Sequence, residues 1–213
     1  DAKYQFTKNS VSKTIVVVAP RILLAQQLCA EFLELIDDVD VLHVHSGETH
    51  HTSTTKTKEI EEWYHNSIKN QLIFTTYHSL HRIADSLDIE VDTIYFDEAH
   101  NSVQKNFIEA VEYHSMYANR SYFFTATPKH SRTPFKIGMN DEDIFGKVLV
   151  NVPAPQLVQG GYILPPKVTI KKIDETDDSR FRHEKDCDNV IDSIDDCNKS
   201  KVLICARSTK QIV

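Results

Sequence analysis

Short apolar runs that alternate with helical patterns constrain the fold of this 213-residue chain more than any other feature. Residues 14–19 form the run TIVVVA, and a run without polar alternation is typical of a strand that is buried on both faces. Apolar residues then recur at spacings of three and four, as they do along one face of an amphipathic helix: Leu24, Leu28, Phe32, Leu35 and Ile36. The pattern therefore predicts a buried strand followed by a helix that packs against it.

The same alternation continues along the chain to residue 124. It predicts further strands at 39–45, 71–75, 91–96 and 121–124, and helices at 56–68, 79–87 and 103–114. Strands separated by helices of this length form βαβ units, whose crossovers make the sheet parallel and cover it on both faces. We therefore expect residues 1–150 to form an α/β domain with a parallel sheet and helices on both faces.

The composition changes after residue 128. Residues 151–166 are rich in proline and contain Gly160-Gly161, which predicts an interdomain connector in place of a packed element. The following residues show a strand pattern at 168–173, an acidic helical pattern at 184–197 and a strand pattern at 202–205. We interpret 167–213 as the beginning of a second α/β domain, too short to be complete.

Two adjacent carboxylates, Asp97 and Glu98, follow directly on the predicted strand at 91–96. In parallel α/β sheets, ligands bind beyond the carboxyl ends of the strands. Adjacent side chains leaving a strand diverge, so Asp97 could bind a metal ion while Glu98 faces a water molecule. This division of roles suits phosphoryl transfer with Mg²⁺. The alternative is an ordinary helix cap followed by an acidic first turn.

Five motifs occur in a recognisable order along the chain. They are VVVAPRILLAQQL at 16–28, IFTTYHSL at 73–80, DEAH at 97–100, TATP at 125–128 and KVLICARS at 201–208. In that order they resemble motifs Ia, Ib, II, III and IV of the superfamily 2 helicases and translocases. The most specific of them are DEAH and TATP. The resemblance implies a RecA-like domain of the P-loop NTPase type, followed by the start of a second RecA-like domain.

The type of helicase is indicated by two further stretches. The sequence APRIL at 19–23 and the connector at 155–166, which ends in QGGYILPP, are most similar to the restriction-subunit (Res) type. RNA-directed DEAD-box members usually read PTREL in motif Ia and SAT in motif III. The resemblance therefore favours DNA over RNA as the nucleic-acid partner, and a restriction-type protein would act with a nuclease or methyltransferase subunit.

The resemblance also implies roles for individual residues near the strand ends. Asp97 would bind the Mg²⁺ of the ATP complex, and Glu98 would act as the hydrolytic base. His100, in the same catalytic motif, would join Thr125 and Thr127 in coupling the nucleotide site to the nucleic-acid site.

The nucleic-acid backbone would be contacted by Arg21 and by the pair Thr75-Thr76, again by resemblance. With 24 Lys+Arg against 31 Asp+Glu and a net charge of -7, the chain cannot hold nucleic acid by being basic all over. Any such binding must therefore be local. A basic patch of Lys129, His130, Arg132 and Lys136 follows TATP, although most such patches are solvated loop charges.

The GxxxxGK[ST] loop, whose amides and lysine hold the phosphates in this family, is not present in the sequence. None of the five glycines begins such a loop, and 13 residues precede Thr14. We therefore expect the chain to be the middle of a larger ATP-dependent DNA helicase or translocase. It would lack the phosphate loop and the arginine finger, and by itself it would not hydrolyse ATP appreciably.

Three alternatives remain open on the sequence. The first is an RNA helicase of the same superfamily, and the second is a nucleic-acid-binding module that has lost its ATPase activity. The third is a metal hydrolase that uses Asp97, Glu98 and nearby histidines. A separate metal site could be imagined at His43, His45 and His50-His51. The hydrolase hypothesis leaves TATP and the order of the motifs unexplained. The histidine site is better explained as strand-end and loop histidines, because no third ligand follows at a fixed spacing.

The cellular location is constrained by the cysteines and by hydrophobicity. The four cysteines include no CxxC pair, which argues against a zinc site or a disulfide framework and favours a reducing compartment. No apolar run approaches the roughly 18 to 20 residues of a membrane span, and residues 1–12 lack the apolar core of a signal peptide. We expect a soluble cytoplasmic protein with no membrane partner.

Overall fold

The computed structural model describes residues 1–8, 12–165, 167–168, 170 and 182–197. The chain divides into two compact units, Asp1–Val150 and Asn151–Val213. In chain order the helices and strands are α1 Ala2–Lys8, β1 Thr14–Ala19, α2 Ile22–Leu33, β2 Val39–Val44, β3 Thr52–Ser53, α3 Thr57–Asn66, β4 Asn70–Thr76, α4 His81–Ala84, β5 Thr93–Phe96, a 3₁₀ turn Ala99–Asn101, α5 Ile108–Tyr117, β6 Arg120–Phe123, α6 Glu142–Phe145, α7 Ala154–Gln159 and α8 Arg182–Cys197.

The first unit is organised around a six-stranded sheet in the order β3-β2-β4-β1-β5-β6. Every pair of neighbouring strands is parallel. β1 lies at the centre between β4 and β5, and all six of its residues are buried. The α/β fold with a parallel sheet that the sequence predicts is therefore confirmed.

Alternate residues of the central strands supply two separate cores, one on each face of the sheet. Val16 and Val18 of β1 pack into one core, whereas Ile15 and Val17 pack into the other. Burying an aliphatic side chain of this size contributes about 1.5–3 kcal/mol. Continuous apolar runs are needed here because both faces of the sheet are covered by helices. This packing fixes the strand ends, and with them the polar residues that follow.

Several elements of the first unit depart from the sequence prediction. The helix predicted at 103–114 begins later, at Ile108, and a 3₁₀ turn precedes it. α1, β3 and α6 are not predicted from the sequence pattern. α1 is held by tertiary contacts, because the Thr93 hydroxyl donates to Gln5 Oε1 (2.8 Å) and the Tyr95 hydroxyl donates to Asp1 Oδ2 (2.8 Å). Local patterns carry no information about such contacts.

The second unit contains two described helices. The predicted connector, 151–166, includes the short helix α7, none of whose residues is buried. α8 agrees with the helix predicted at 184–197. The strand predicted at 202–205, and most of the strand predicted at 168–173, lie outside the described residues. The assignment of 167–213 to a second RecA-like domain stays a prediction. None of the helices in the described ranges is long and apolar enough to cross a membrane.

Candidate active site

The carboxyl ends of β4, β1 and β5 lie side by side at one edge of the sheet. The backbone pairing continues just past the strands: Asp97 N–H donates to the Val18 carbonyl (2.9 Å), and Tyr77 N–H donates to the Ala19 carbonyl (3.3 Å). The residues that follow these strands therefore start from fixed positions. This is the edge at which parallel α/β sheets bind their ligands.

Glu98 adopts a left-handed backbone conformation, with φ 46° and ψ 50°. For a residue other than glycine, this conformation costs on the order of 1–2 kcal/mol. It turns the chain from β5 into the 3₁₀ turn Ala99–Asn101, where the Asn101 side chain donates to the Glu98 carbonyl (2.9 Å). Ala99 N–H donates to the carbonyl of Phe124 (2.8 Å). These bonds hold the turn in place, and the Glu98 side chain is half exposed there.

One imidazole nitrogen, Nδ1 of His100, lies close to the side chains of Glu98, Thr125 and Thr127. His100 Nδ1 lies 3.1 Å from Thr125 Oγ1 and 3.3 Å from Thr127 Oγ1. The same nitrogen lies 3.3 Å from Glu98 Oε2. About 25 residues separate DEAH from TATP in the sequence, but β5 and β6 are neighbours in the sheet. The structure therefore brings together four of the side chains that the motifs single out.

The proton on His100 decides which of these contacts are hydrogen bonds. An ionised carboxylate only accepts, so a bond to Glu98 requires Nδ1 to carry a proton. A threonine hydroxyl can donate or accept, and it can therefore bond Nδ1 in either tautomer. Thr125 is fixed further because its hydroxyl accepts the Thr127 N–H (3.1 Å). His100 can thus exchange a carboxylate partner on its own turn for a hydroxyl partner on the neighbouring strand end.

The Asp97 carboxyl group is partly buried beside Glu98. Burial raises the pKa of Asp97, and the negative charges of Glu98 and Glu31 raise it further, against a hydrogen bond from the Glu98 backbone that lowers it. A bound cation would offset this unfavourable charge. Mg²⁺ in nucleotide sites is usually held by one or two carboxylates together with phosphate oxygens. The donor set at this edge fits such an ion.

Tyr77 lies at this edge as part of the motif at 73–80, but the sequence predicts no role for it. Its hydroxyl donates to the backbone carbonyl of Asp97 (2.8 Å), and the residue as a whole is 2% exposed. The signal in the sequence is weak, because an aromatic residue after a strand usually only fills the core. The hydrogen bond to Asp97 becomes visible only when β4 and β5 are placed in one sheet.

The contacts of His100 described above do not include the three residues predicted to contact nucleic acid. Arg21 is exposed at the beginning of α2. Thr75 and Thr76 are buried, and the Thr75 hydroxyl donates to the Val44 carbonyl (2.9 Å). The Thr75 side chain is therefore already engaged in a hydrogen bond between two strands of the sheet. The nucleic-acid role of these three residues stays a prediction.

His43 and His45 form a buried pair at the end of β2. His43 Nδ1 lies 3.0 Å from His45 Nε2, and His45 Nδ1 accepts the Gly47 N–H (3.1 Å). Burial is the main reason why the pKa of His43 falls to about 4 and that of His45 is lowered. His51 stacks on His43, with ring centroids 5.9 Å apart. In the described ranges, no group of three or more His, Cys, Asp or Glu side chains is placed to hold a metal ion.

Comparisons with known proteins give one family and a set of similar folds. The family described as "Type III restriction enzyme, res subunit" matches residues 2–130. None of the curated proteins matches the sequence.

Two solved structures show the fold. One is a nuclease-deletion mutant of the Type ISP restriction-modification enzyme LlaGI in complex with a DNA substrate mimic, with a TM-score of 0.60 and 22% identity over 73% of this chain. The other is the ATP-dependent Type ISP restriction-modification enzyme LlaBIII bound to DNA, with a TM-score of 0.56 and 21% identity over 75% of this chain. This chain spans only 14% and 13% of those chains. The similarity confirms the predicted RecA-like α/β fold.

Proposed function

Since the chain belongs to the family of type III restriction enzyme res subunits, we propose that it is part of an ATP-dependent DNA translocase or helicase. The natural protein would couple hydrolysis of Mg-ATP to movement along DNA or to its unwinding. The observation that carries the proposal is the arrangement around His100 Nδ1, which has Glu98, Thr125 and Thr127 within 3.3 Å. This arrangement links the end of β5 directly to the end of β6.

The two carboxylates would divide the work of the hydrolytic step. Asp97 is the candidate Mg²⁺ ligand because its partly buried carboxyl group lies at the strand end and gains from a neighbouring cation. When bound, Mg²⁺ neutralises charge on the phosphate oxygens. Glu98 is the candidate general base because its side chain is 48% exposed and can reach a water molecule. Asp97 would thus bind and orient the Mg²⁺ ion, and Glu98 would accept the proton of the attacking water molecule.

His100 would couple that step to the rest of the molecule. While Nδ1 donates to the Glu98 carboxylate, one oxygen of the base is engaged. The Thr125 hydroxyl already lies 3.1 Å from Nδ1. A shift of the Nδ1 proton from the carboxylate to this hydroxyl would release Glu98 toward its water. The coupling roles of His100, Thr125 and Thr127 follow from this exchange of partners.

DNA is the nucleic acid that we favour as the partner. The LlaGI and LlaBIII structures hold a DNA mimic and DNA, which supports this choice for a chain with a similar fold. The net charge of -7 restricts contacts to local basic groups, of which Arg21 and the patch after TATP are exposed. The buried Thr75 and Thr76 would act through the backbone that follows them. A nuclease or methyltransferase function in the same assembly also belongs to this proposal.

The test is Glu98→Gln in the natural protein that carries this sequence. Nucleotide binding should persist because Asp97 remains, whereas DNA-stimulated hydrolysis should fall by about 10²-fold or more, the contribution of a general base. Glu112→Gln is the matched control, because Glu112 is an exposed glutamate of α5. Unchanged hydrolysis in Glu98→Gln would remove the base from this position.

Parallel assays with double-stranded DNA, single-stranded DNA and RNA identify the nucleic acid. Stimulation by RNA alone would replace the DNA proposal with an RNA helicase. Nucleic-acid binding without any hydrolysis in the wild type would favour a binding module that lacks ATPase activity.

A further inference from the structure

Tyr77 connects two strand ends that are not neighbours in the sheet. It follows β4, whereas the carbonyl that accepts its hydroxyl belongs to Asp97, directly after β5. β1 lies between these strands. Because adjacent strands lie about 4.8 Å apart, the two ends are about 10 Å apart. The Tyr77 side chain therefore passes over the end of β1.

Contacts hold both the backbone and the side chain of Tyr77. Its backbone N–H donates to the Ala19 carbonyl (3.3 Å). Its ring stacks on Phe96 and Phe107, with centroids 6.2 Å and 5.7 Å away. The Ser102 hydroxyl is a weak donor to the Tyr77 oxygen at 3.5 Å. A displacement of the segment after β4 would consequently be carried to the Asp97 carbonyl.

The accepting carbonyl belongs to the peptide that joins Asp97 to Glu98. The orientation of this peptide fixes ψ of Asp97 and φ of Glu98, the angle that is left-handed here. The N–H of the same peptide is bonded to the Asp97 carboxyl group. One hydrogen bond from Tyr77 thus acts on the backbone of both candidate catalytic residues. A conformation as unfavourable as that of Glu98 persists only when surrounding contacts impose it.

We propose that Tyr77 is a positioning residue, whose hydroxyl holds the Asp97–Glu98 peptide in its working orientation and transmits movements of the segment after β4 to it. The inference rests on the proposed function, because it takes Asp97 as the metal ligand and Glu98 as the base. It adds a route by which nucleic acid bound near β4 would change the hydrolytic site. A residue that only filled the core would need its ring and not its hydroxyl.

Tyr77→Phe in the natural protein separates these roles, because it keeps the ring and removes only the hydroxyl. We expect the kcat of DNA-stimulated hydrolysis to fall about 3- to 10-fold, the effect of one lost hydrogen bond. The Mg²⁺ concentration that gives half-maximal rate should rise, while the KM for ATP at saturating Mg²⁺ stays the same. The control is Tyr64→Phe, because Tyr64 also uses its hydroxyl for a backbone bond, accepting the Glu90 N–H (3.2 Å).

A second measurement does not depend on hydrolysis. Hydrogen exchange in the natural protein should be about 3- to 10-fold faster in the peptide that spans residues 97–99 of Tyr77→Phe than in the same peptide of the wild type. Tyr64→Phe should leave that peptide unchanged. If Tyr77→Phe fails to fold, Ser102→Ala, which removes the weaker donor, should give a smaller change of the same sign.

The outcomes of the two assays are distinct. A wild-type protein that does not hydrolyse ATP would refute the proposed function, and the exchange rates alone would then decide whether Tyr77 positions the peptide. Wild-type kcat, Mg²⁺ dependence and DNA stimulation in a folded Tyr77→Phe protein would overturn the inference. So would unchanged exchange at residues 97–99.

Discussion

Replacing His114 with leucine should make folding less sensitive to acid. His114 lies in α5, is 2% exposed, and hydrogen-bonds the backbone of Leu80. Its Nε2 atom is buried and has no hydrogen-bond partner in the described part of the chain. Burial lowers the pKa of His114 to about 4, from an ordinary value of 6.5. The folded protein therefore holds a neutral imidazole at pH values where the unfolded chain is protonated.

The sign and size of the effect follow from this difference in pKa. Above pH 6.5 the imidazole is neutral in both states, and its contribution to folding is fully present. As the pH falls below that value, the imidazole becomes protonated in the unfolded state, whereas in the folded state it stays neutral until about pH 4. Each pH unit in this window removes about 1.4 kcal/mol, so about 3 kcal/mol is lost by pH 4.

The assay is urea unfolding of wild type and His114→Leu between pH 7.5 and 4.5. At neutral pH the variant should be less stable by about 1–3 kcal/mol, because the Leu80 backbone loses its partner. Toward pH 4.5 the difference between the two proteins should shift by about 2–3 kcal/mol in favour of the variant. His130→Leu controls for the loss of an exposed imidazole. Parallel pH curves for wild type and His114→Leu would refute the reasoning.

Two further predictions concern threonine hydroxyls. In the natural protein, Thr125→Val should reduce DNA-stimulated hydrolysis more than Thr127→Val. The reason is that Thr125→Val removes both the 3.1 Å contact to His100 and the acceptor of the Thr127 N–H. The reverse ranking in an ATPase assay would contradict the geometry. Thr75→Val should lower the free energy of unfolding in urea by about 1–2 kcal/mol, because it removes a buried bond to the Val44 carbonyl. Weaker DNA binding without any loss of stability would contradict the structural role of Thr75.

The sheet could be predicted from the sequence because its signals are local. The run at 14–19 becomes a strand with the same bounds, since continuous apolar residues suit a strand covered on both faces. The proximity of DEAH and TATP could also be predicted, because both motifs follow parallel strands whose carboxyl ends lie at the same edge of the sheet. His100 and Thr125 are indeed in contact.

The features that could not be predicted depend on distant contacts. The left-handed turn at Glu98 has no local signal, because glutamate rarely adopts it. The bond from Tyr77 to Asp97 depends on the strand order. The burial of Thr75 could not be predicted either, because a polar residue at a strand end is usually expected to be exposed. In the structure its hydroxyl donates to a carbonyl of β2.

The backbone of Glu98 has a consequence for laboratory evolution of this protein. Asparagine tolerates a left-handed conformation better than glutamate, so Glu98→Asn would relieve strain while removing the longer carboxylate side chain. Selection for thermal stability alone would then enrich a substitution that abolishes the proposed chemistry. A library built on this chain should therefore keep position 98 fixed or screen it by activity.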